Sequence, residues 1–268
     1  VNNKTVIVAP AIKTKFWQRI YKNFCRNKTP FHFVFVGDVA PNFSLPDNFT
    51  HINCSLGPAA CAEVAYRYAY KHITDAKYII NTADDVDTPE YFLDSLIGFY
   101  EKKIIELGND YQIASTMANG CFEEENLMAF YQGGPVLLGQ MLTTIENSKR
   151  IGGIDRRFNA IYWDCDRHLR AHQDGANVLF AGAHELTPSS EFDYNPTAGL
   201  WKRHSGHDYG FLKELWDIED GGAQEVFCAE LQPVNGRPTN VMSRKKLQIK
   251  RLDKVIEYDD FYLRKYYE

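Results

Sequence analysis

Apolar residues follow two rhythms along the chain. Thr5-Val6-Ile7-Val8-Ala9-Pro10 and the run from Phe31 to Val36 are apolar at nearly every position, the pattern of strands buried on both faces. Between them Phe16, Trp17, Ile20, Tyr21 and Phe24 recur at helical spacing, so the opening reads β-α-β. The alternation continues with a strand over 50–53, a helix over 59–72 announced by Gly57-Pro58, and a strand over 76–81. After Pro89 a helix is predicted over 90–107 and a strand over 111–117. Gly133-Gly134-Pro135 punctuates the passage into 136–147, and beyond Gly152-Gly153 come a helix over 163–172 and a strand over 177–181.

Strands and helices alternating in this way predict an α/β fold whose mostly parallel sheet is covered on both faces. Such sheets bind ligands beyond the carboxyl ends of their strands. Pro10, Asp38 and the run Asp84-Asp85-Val86-Asp87 each follow a predicted strand end, so they are expected to converge on one crevice. From about residue 191 the chain is aromatic and basic, with Trp201-Lys202-Arg203-His204 and a charged tract over 244–254. The expected organisation is a core over 1–190 and an irregular extension over 191–268 that packs on the core or closes over it.

Composition narrows the function classes. A chain of 268 residues, 44% hydrophobic, can bury a sizeable core. Its net charge of −5 lacks the basic excess of a nucleic-acid binder. No apolar run approaches the ~20 residues of a membrane span, and Val1-Asn2-Asn3-Lys4 has no signal-peptide pattern. Cysteines at 25, 54, 61, 121, 165 and 228 form no C-x-x-C pair, which suits free thiols in a reducing compartment such as the cytoplasm, with a secretory lumen as the alternative.

Three aspartates in four residues concentrate like charge, which a divalent cation relieves. Hard oxygen ligands suit Mn²⁺ or Mg²⁺; the alternative is a solvated turn at a helix start. Asp38 is placed to accept from a base or ribose, or is simple turn chemistry. On the helix over 163–172, Asp164, Arg167 and His168 share a face, which makes Asp164 a candidate base beside cationic groups. Asp164, His168 and His172 also form a D-x₃-H-x₃-H series with zinc-ligand spacing, though without an H-E-x-x-H pattern. His184 follows the strand over 177–181 and is a candidate metal or diphosphate ligand, or equally a loop histidine.

Val6-Ile7-Val8-Ala9-Pro10, Val34-Phe35-Val36-Gly37-Asp38, Ile79-Ile80-Asn81-Thr82-Ala83-Asp84-Asp85, Gly152-Gly153-Ile154-Asp155 and Trp163-Asp164-Cys165-Asp166 together resemble the GT-A glycosyltransferases, especially the family 2 type, in order and spacing over about residues 5–190. The set also resembles glycosyltransferases of large algal viruses. The resemblance implies a GT-A, Rossmann-like three-layer sandwich that moves a sugar from a nucleotide diphosphate donor, UDP being the expected nucleotide, to a hydroxyl of a glycan or other acceptor. It implies nucleotide contacts from Pro10, Ala11, Asp38, Asp84 and Asp85. The D-x-D element falls on the Asp84 cluster in one of two registers: Asp84 toward ribose with Asp85 on metal, or Asp85 and Asp87. Metal ligation by Asp85, Asp87 and His184 is implied, with Asp164 as the base of an inverting transfer. From the residues alone, His204 and His207 beside Lys202 and Arg203 are placed either to neutralise a departing diphosphate or to form a solvated basic patch. Trp163 stands where the family usually has glutamate, so a non-catalytic nucleotide- or glycan-binding module is the alternative, followed by a zinc hydrolase. A sugar-1-phosphate nucleotidyltransferase and a nicotinamide enzyme are disfavoured, because Ala9-Pro10-Ala11-Ile12-Lys13 contains no glycine and G-x-G-x-x-G is missing.

Overall fold

The structure is a computed structural model that describes residues 4–116, 126–127, 140–181, 187–188, 196–216 and 261–268. Its elements run β1 (Thr5–Pro10), α1 (Thr14–Phe24), β2 (Phe31–Gly37), β3 (Phe49–Asn53), α2 (Pro58–His72), β4 (Tyr78–Asn81), β5 (Val86–Asp87), α3 (Phe92–Leu107) and β6 (Gln112–Thr116). Then come β7 (Asn126–Leu127), β8 (Gln140–Thr144), α4 (Ile145–Ile151), α5 (Trp163–Gln173), β9 (Asn177–Phe180), β10 (Thr187–Pro188) and α6 (Pro196–Trp216). A short helix covers residues 261–267.

Eight strands form one sheet in the order β3-β2-β1-β4-β8-β6-β9-β7. Strands β3, β2, β1 and β4 are mutually parallel, as are β6 and β9, while β8 runs antiparallel between β4 and β6, and β7 antiparallel to β9. The sheet is mixed and mostly parallel, as the alternation of strands and helices predicts.

The near-continuous apolar runs of β1 and β2 arise because successive side chains enter different cores. Val6, Val8, Val34 and Val36 pack with α2, α5, α6 and the helix over 261–267. Ile7, Ala9, Phe33 and Phe35 face the opposite way, onto Trp17, Ile20 and Phe24 of α1 and Phe92, Leu96 and Tyr100 of α3. The result is three layers. Local signals fix the helix ends: Pro58 opens α2, the Thr144 hydroxyl accepts from the Asn147 amide at 3.1 Å to cap α4, and Gly108 ends α3 with φ of 61°.

Two expectations are corrected. The helix predicted from Glu90 starts at Phe92, because Tyr91 takes a left-handed φ of 58°. The extension beyond 190 is not wholly irregular, since α6 spans 21 residues. Pro196, Gly199, Gly206 and Gly210 hid it, each a weak helix former or breaker. Burial of Leu212, Leu215 and Trp216 in the same core as α2 outweighs that propensity. Among the described residues, no helix is long and apolar enough to cross a membrane.

Candidate active site

Because β2, β1 and β4 are parallel neighbours, their carboxyl ends at Gly37, Pro10 and Asn81 lie side by side. Ala11 donates its amide to the Val36 carbonyl at 2.8 Å, drawing the chain after β1 against the end of β2. A Cβ on Gly37 would sit 1.9 Å from the Ala11 carbonyl oxygen, so only glycine permits this approach. Beyond these ends lies a cavity of about 610 Å³. Pro10, Ala11, Asp38, Asp84 and Asp85 line it on the sheet side, and Ala160 to Asp164 line it from the loop that enters α5.

Asp84 is buried, and burial raises its pKa. Its Oδ2 accepts from the Ile12 amide at 2.6 Å, the Lys13 amide at 2.5 Å and Trp17 Nε1 at 3.2 Å. Asp84 is thus the clasp that fixes the turn between β1 and α1. Asp85 beside it is ion-paired through Oδ2 with the Lys13 ammonium, and the two side chains are only 11% and 7% exposed.

Asp87 goes elsewhere. Strand β5 pairs with β10, and the Asp87 carboxylate is ion-paired with Arg19, Nε at 3.1 Å, and accepts from Asn23 Nδ2 at 3.3 Å, both on α1 and away from the cavity lining. The structure brings Asp84 and Asp85, not Asp87, to the crevice. Asp155 does not reach it either: it is fully buried and accepts from Arg157 Nε at 2.9 Å and Nη2 at 2.5 Å.

On the opposite wall Tyr162 adopts a left-handed φ of 63°, an unfavourable conformation for an aromatic residue that turns the chain abruptly into α5. Asp164 follows in the first turn of α5, half-buried against the cavity, its Oδ1 accepting from the Cys165 amide at 2.9 Å. Loss of hydration pushes its pKa up to about 6. It is therefore mostly ionised at neutral pH and basic enough to take a proton.

The cationic neighbours expected for Asp164 are not there. Arg167 turns to Ser148, with Nη2 to Oγ at 2.9 Å, and stacks 4.2 Å over the Tyr66 ring. His168 is buried and pushed down to about 4, hence neutral, by loss of hydration. Its Nδ1 meets the Asp164 carbonyl at 2.7 Å and must donate there, leaving Nε2 to accept from the Ser115 hydroxyl at 2.7 Å. With both ring nitrogens engaged, His168 does not present the ligand that the zinc series requires. His207 bonds Asp208 at 2.8 Å on α6 and does not line the cavity, nor does His204. His184 and the side chain of His172 lie outside the described residues.

As a site for Mn²⁺ or Mg²⁺ the described donors fit poorly. One oxygen of Asp84 is committed to three N–H groups, Asp85 already holds an ammonium, and Asp87 is held by Arg19. No group of three His, Cys, Asp or Glu side chains among the described residues could hold a metal ion. Lys13 is the residue that sequence reasoning missed. Its only signal was a lysine three positions past a strand end, and its partner lies 72 residues away.

No protein-family model and no curated protein sequence matches the chain. Solved structures share its fold. Residues 1–349 of Staphylococcus aureus TarS align with 86% of this chain and 67% of their own length at 13% identity and a TM-score of 0.53. The mannosyltransferase PcManGT from Pyrobaculum calidifontis, in complex with GDP-Man and Mn²⁺, aligns with 85% of this chain and 69% of its own at 14% identity and a TM-score of 0.57. GalNAc-T7 with UDP, GalNAc and Mn²⁺ aligns with 98% of this chain at 10% identity and a TM-score of 0.54, and this chain covers 58% of it. Nothing in these likenesses bears on a viral source.

Proposed function

We propose that this chain is a glycosyltransferase that moves a sugar from a nucleotide diphosphate donor, UDP-linked, to a hydroxyl of a glycan or other acceptor, with inversion. The observation that carries the reading is the convergence of Pro10, Ala11, Asp38, Asp84 and Asp85 on one side of a single cavity, facing Asp164 on the other. The cavity sits at the carboxyl ends of adjacent parallel strands, where such sheets bind nucleotides. Two fold neighbours hold a nucleotide or nucleotide sugar.

In this reading Pro10, Ala11 and Asp38 receive the base and ribose, and the turn clasped by Asp84 presents Lys13 to the diphosphate. The acceptor oxygen attacks the anomeric carbon from the Asp164 side, and its proton passes to the Asp164 carboxylate. The bond from the anomeric carbon to the diphosphate oxygen breaks on the opposite face, and its electron pair leaves with the nucleoside diphosphate. The Mn²⁺ of two neighbours supports a divalent cation here, whereas the donor set described above does not, so no step is assigned to one. We read residues 1–190 as the catalytic core and 191–268 as an extension packed on it.

The test is release of nucleoside diphosphate from UDP-glucose, UDP-galactose, UDP-N-acetylglucosamine and GDP-mannose in the presence of simple glycan acceptors. One donor is expected to turn over in the wild type and to bind, without turning over, in Asp164→Asn. Binding without release in the wild type would leave a binding module. Wild-type turnover by the variant would remove Asp164 from the mechanism.

A further inference from the structure

We propose that Lys13 is the cation that meets the donor diphosphate, and that nucleotide diphosphate binding by this chain does not require a divalent metal. This rests on the transferase reading and goes beyond it by assigning the charge that the leaving group needs.

Two adjacent carboxylates at the end of β4, in a crevice with little water, would repel an incoming diphosphate unless something offset them. Here both are offset by the chain itself. Asp84 is buried, and its Oδ2 accepts three N–H groups. Asp85 carries the Lys13 ammonium. A metal ion commonly supplies this neutralisation at a phosphate-binding carboxylate pair.

Position comes next. Lys13 lies three residues past the end of β1, in the wall of the cavity, with its side chain 7% exposed. Its own amide is anchored on Asp84, so the residue is fixed at both ends, backbone on one aspartate and ammonium on the next. A cation held in this way needs no reorganisation when negative charge develops on the diphosphate. An ammonium is a compact charge with three donors, well suited to contact phosphate oxygen while keeping a carboxylate partner.

Competition completes the case. A divalent ion ligated by Asp85 would lie beside the ammonium that its Oδ2 already carries, while one oxygen of Asp84 is taken by three N–H groups and Asp87 is held by Arg19. Burying a lysine–aspartate pair carries a desolvation penalty that its mutual attraction repays poorly, so stability is a weak reason for a pair at this place. The role assigned to Lys13 gives it another.

The test is calorimetric titration of UDP and GDP into the wild type and into Lys13→Met, each in EDTA and in Mn²⁺. The wild type is expected to bind one nucleotide with affinities that agree within about threefold in the two media. Lys13→Met should bind at least tenfold more weakly in EDTA and recover in Mn²⁺, because removing the ammonium bares Asp85. Lys13→Arg, which keeps the charge, should stay metal-independent. Wild-type binding that is lost in EDTA and restored by Mn²⁺ would overturn the proposal and leave the transferase reading intact, and this arm does not depend on any variant folding. Equal binding by wild type and Lys13→Met in EDTA would overturn it as well. Failure of the wild type to bind either nucleotide in any medium would sink both readings.

Discussion

Replacing Asp164 by asparagine removes a charge that the fold holds at a disadvantage. Burial at the cavity wall raises the Asp164 pKa from an ordinary value of about 3.9 to about 6. A difference of about two pH units corresponds to about 3 kcal/mol at most. The side chain still meets water in the cavity, which screens the charge, so the expected stabilisation by Asp164→Asn at pH 7.5 is about 1–2 kcal/mol. Asparagine keeps a side-chain oxygen for the Cys165 amide, so the turn is not broken. The sign follows from proton binding. Between the unfolded and folded pKa values the native wild type holds more protons than the unfolded chain, so its stability falls as pH rises through that window. The gain in Asp164→Asn is therefore absent below about pH 4, grows between 4 and 6 and is level above. Urea melts of both proteins at pH 4, 5, 6 and 7.5 measure it directly, and a thermal scan should show a rise of about 2–4 °C per kcal/mol. The same variant should lose turnover by at least a hundredfold, and wild-type kcat/KM should fall tenfold per pH unit below about 6. A variant less stable than wild type at pH 7.5, or equally displaced at every pH, would refute the account of Asp164 as a strained, functional carboxylate.

Gly37→Ala forces a Cβ onto the Ala11 carbonyl and should cost about 2–3 kcal/mol in urea while weakening nucleotide binding, whereas Gly98→Ala, exposed in α3 with open space around it, should stabilise by about 0.5–1 kcal/mol. Trp17→Phe removes one of the three donors on Asp84 and should cost about 1–2 kcal/mol, read in the same urea experiment. Asp208 is pushed up by burial but held below its usual range by the amides of Asn159, Ala160 and Ile161. Asp208→Ala should therefore cost about 2–3 kcal/mol at neutral pH, and the difference from wild type should shrink as pH falls through the lowered pKa.

What the sequence disclosed and what it withheld divide along physical lines. The two-sided burial of β1 and β2 writes itself into unbroken apolar runs, and the helical spacing of Phe16, Trp17, Ile20 and Phe24 needs no tertiary knowledge. Asp84, Asp85 and Asp38 were legible as strand-end residues, but the division of labour between them was not. That Asp84 is a clasp depends on where the amides of residues 12 and 13 point, across 71 or more positions of chain. Antiparallel β8 gave no sign of direction, since buried strands of either sense are apolar alike. Asp164 was legible from its helix face and from the resemblance to a family pattern, but the cationic neighbours expected there turn away, and burial is what raises its basicity. The left-handed Tyr162 before it had no signal, because a tyrosine shows no preference for that conformation.

Helix α6 gives the crevice two separately founded walls. The sheet side is anchored in the strands, while Ala160 and Ile161 on the other side hang by their amides from Asp208, and Trp216 Nε1 grips Asp166 of α5 at 3.0 Å. Altering α6 at Asp208 therefore shifts the loop that carries Tyr162 and Asp164, while Leu212, Leu215 and Trp216 keep the helix seated on the core it shares with β1, β2 and β4. The chain holds a built-in adjustment screw: the gap between the walls of the cavity can be retuned from Asp208, on a helix remote in sequence from the strand ends that form the other wall.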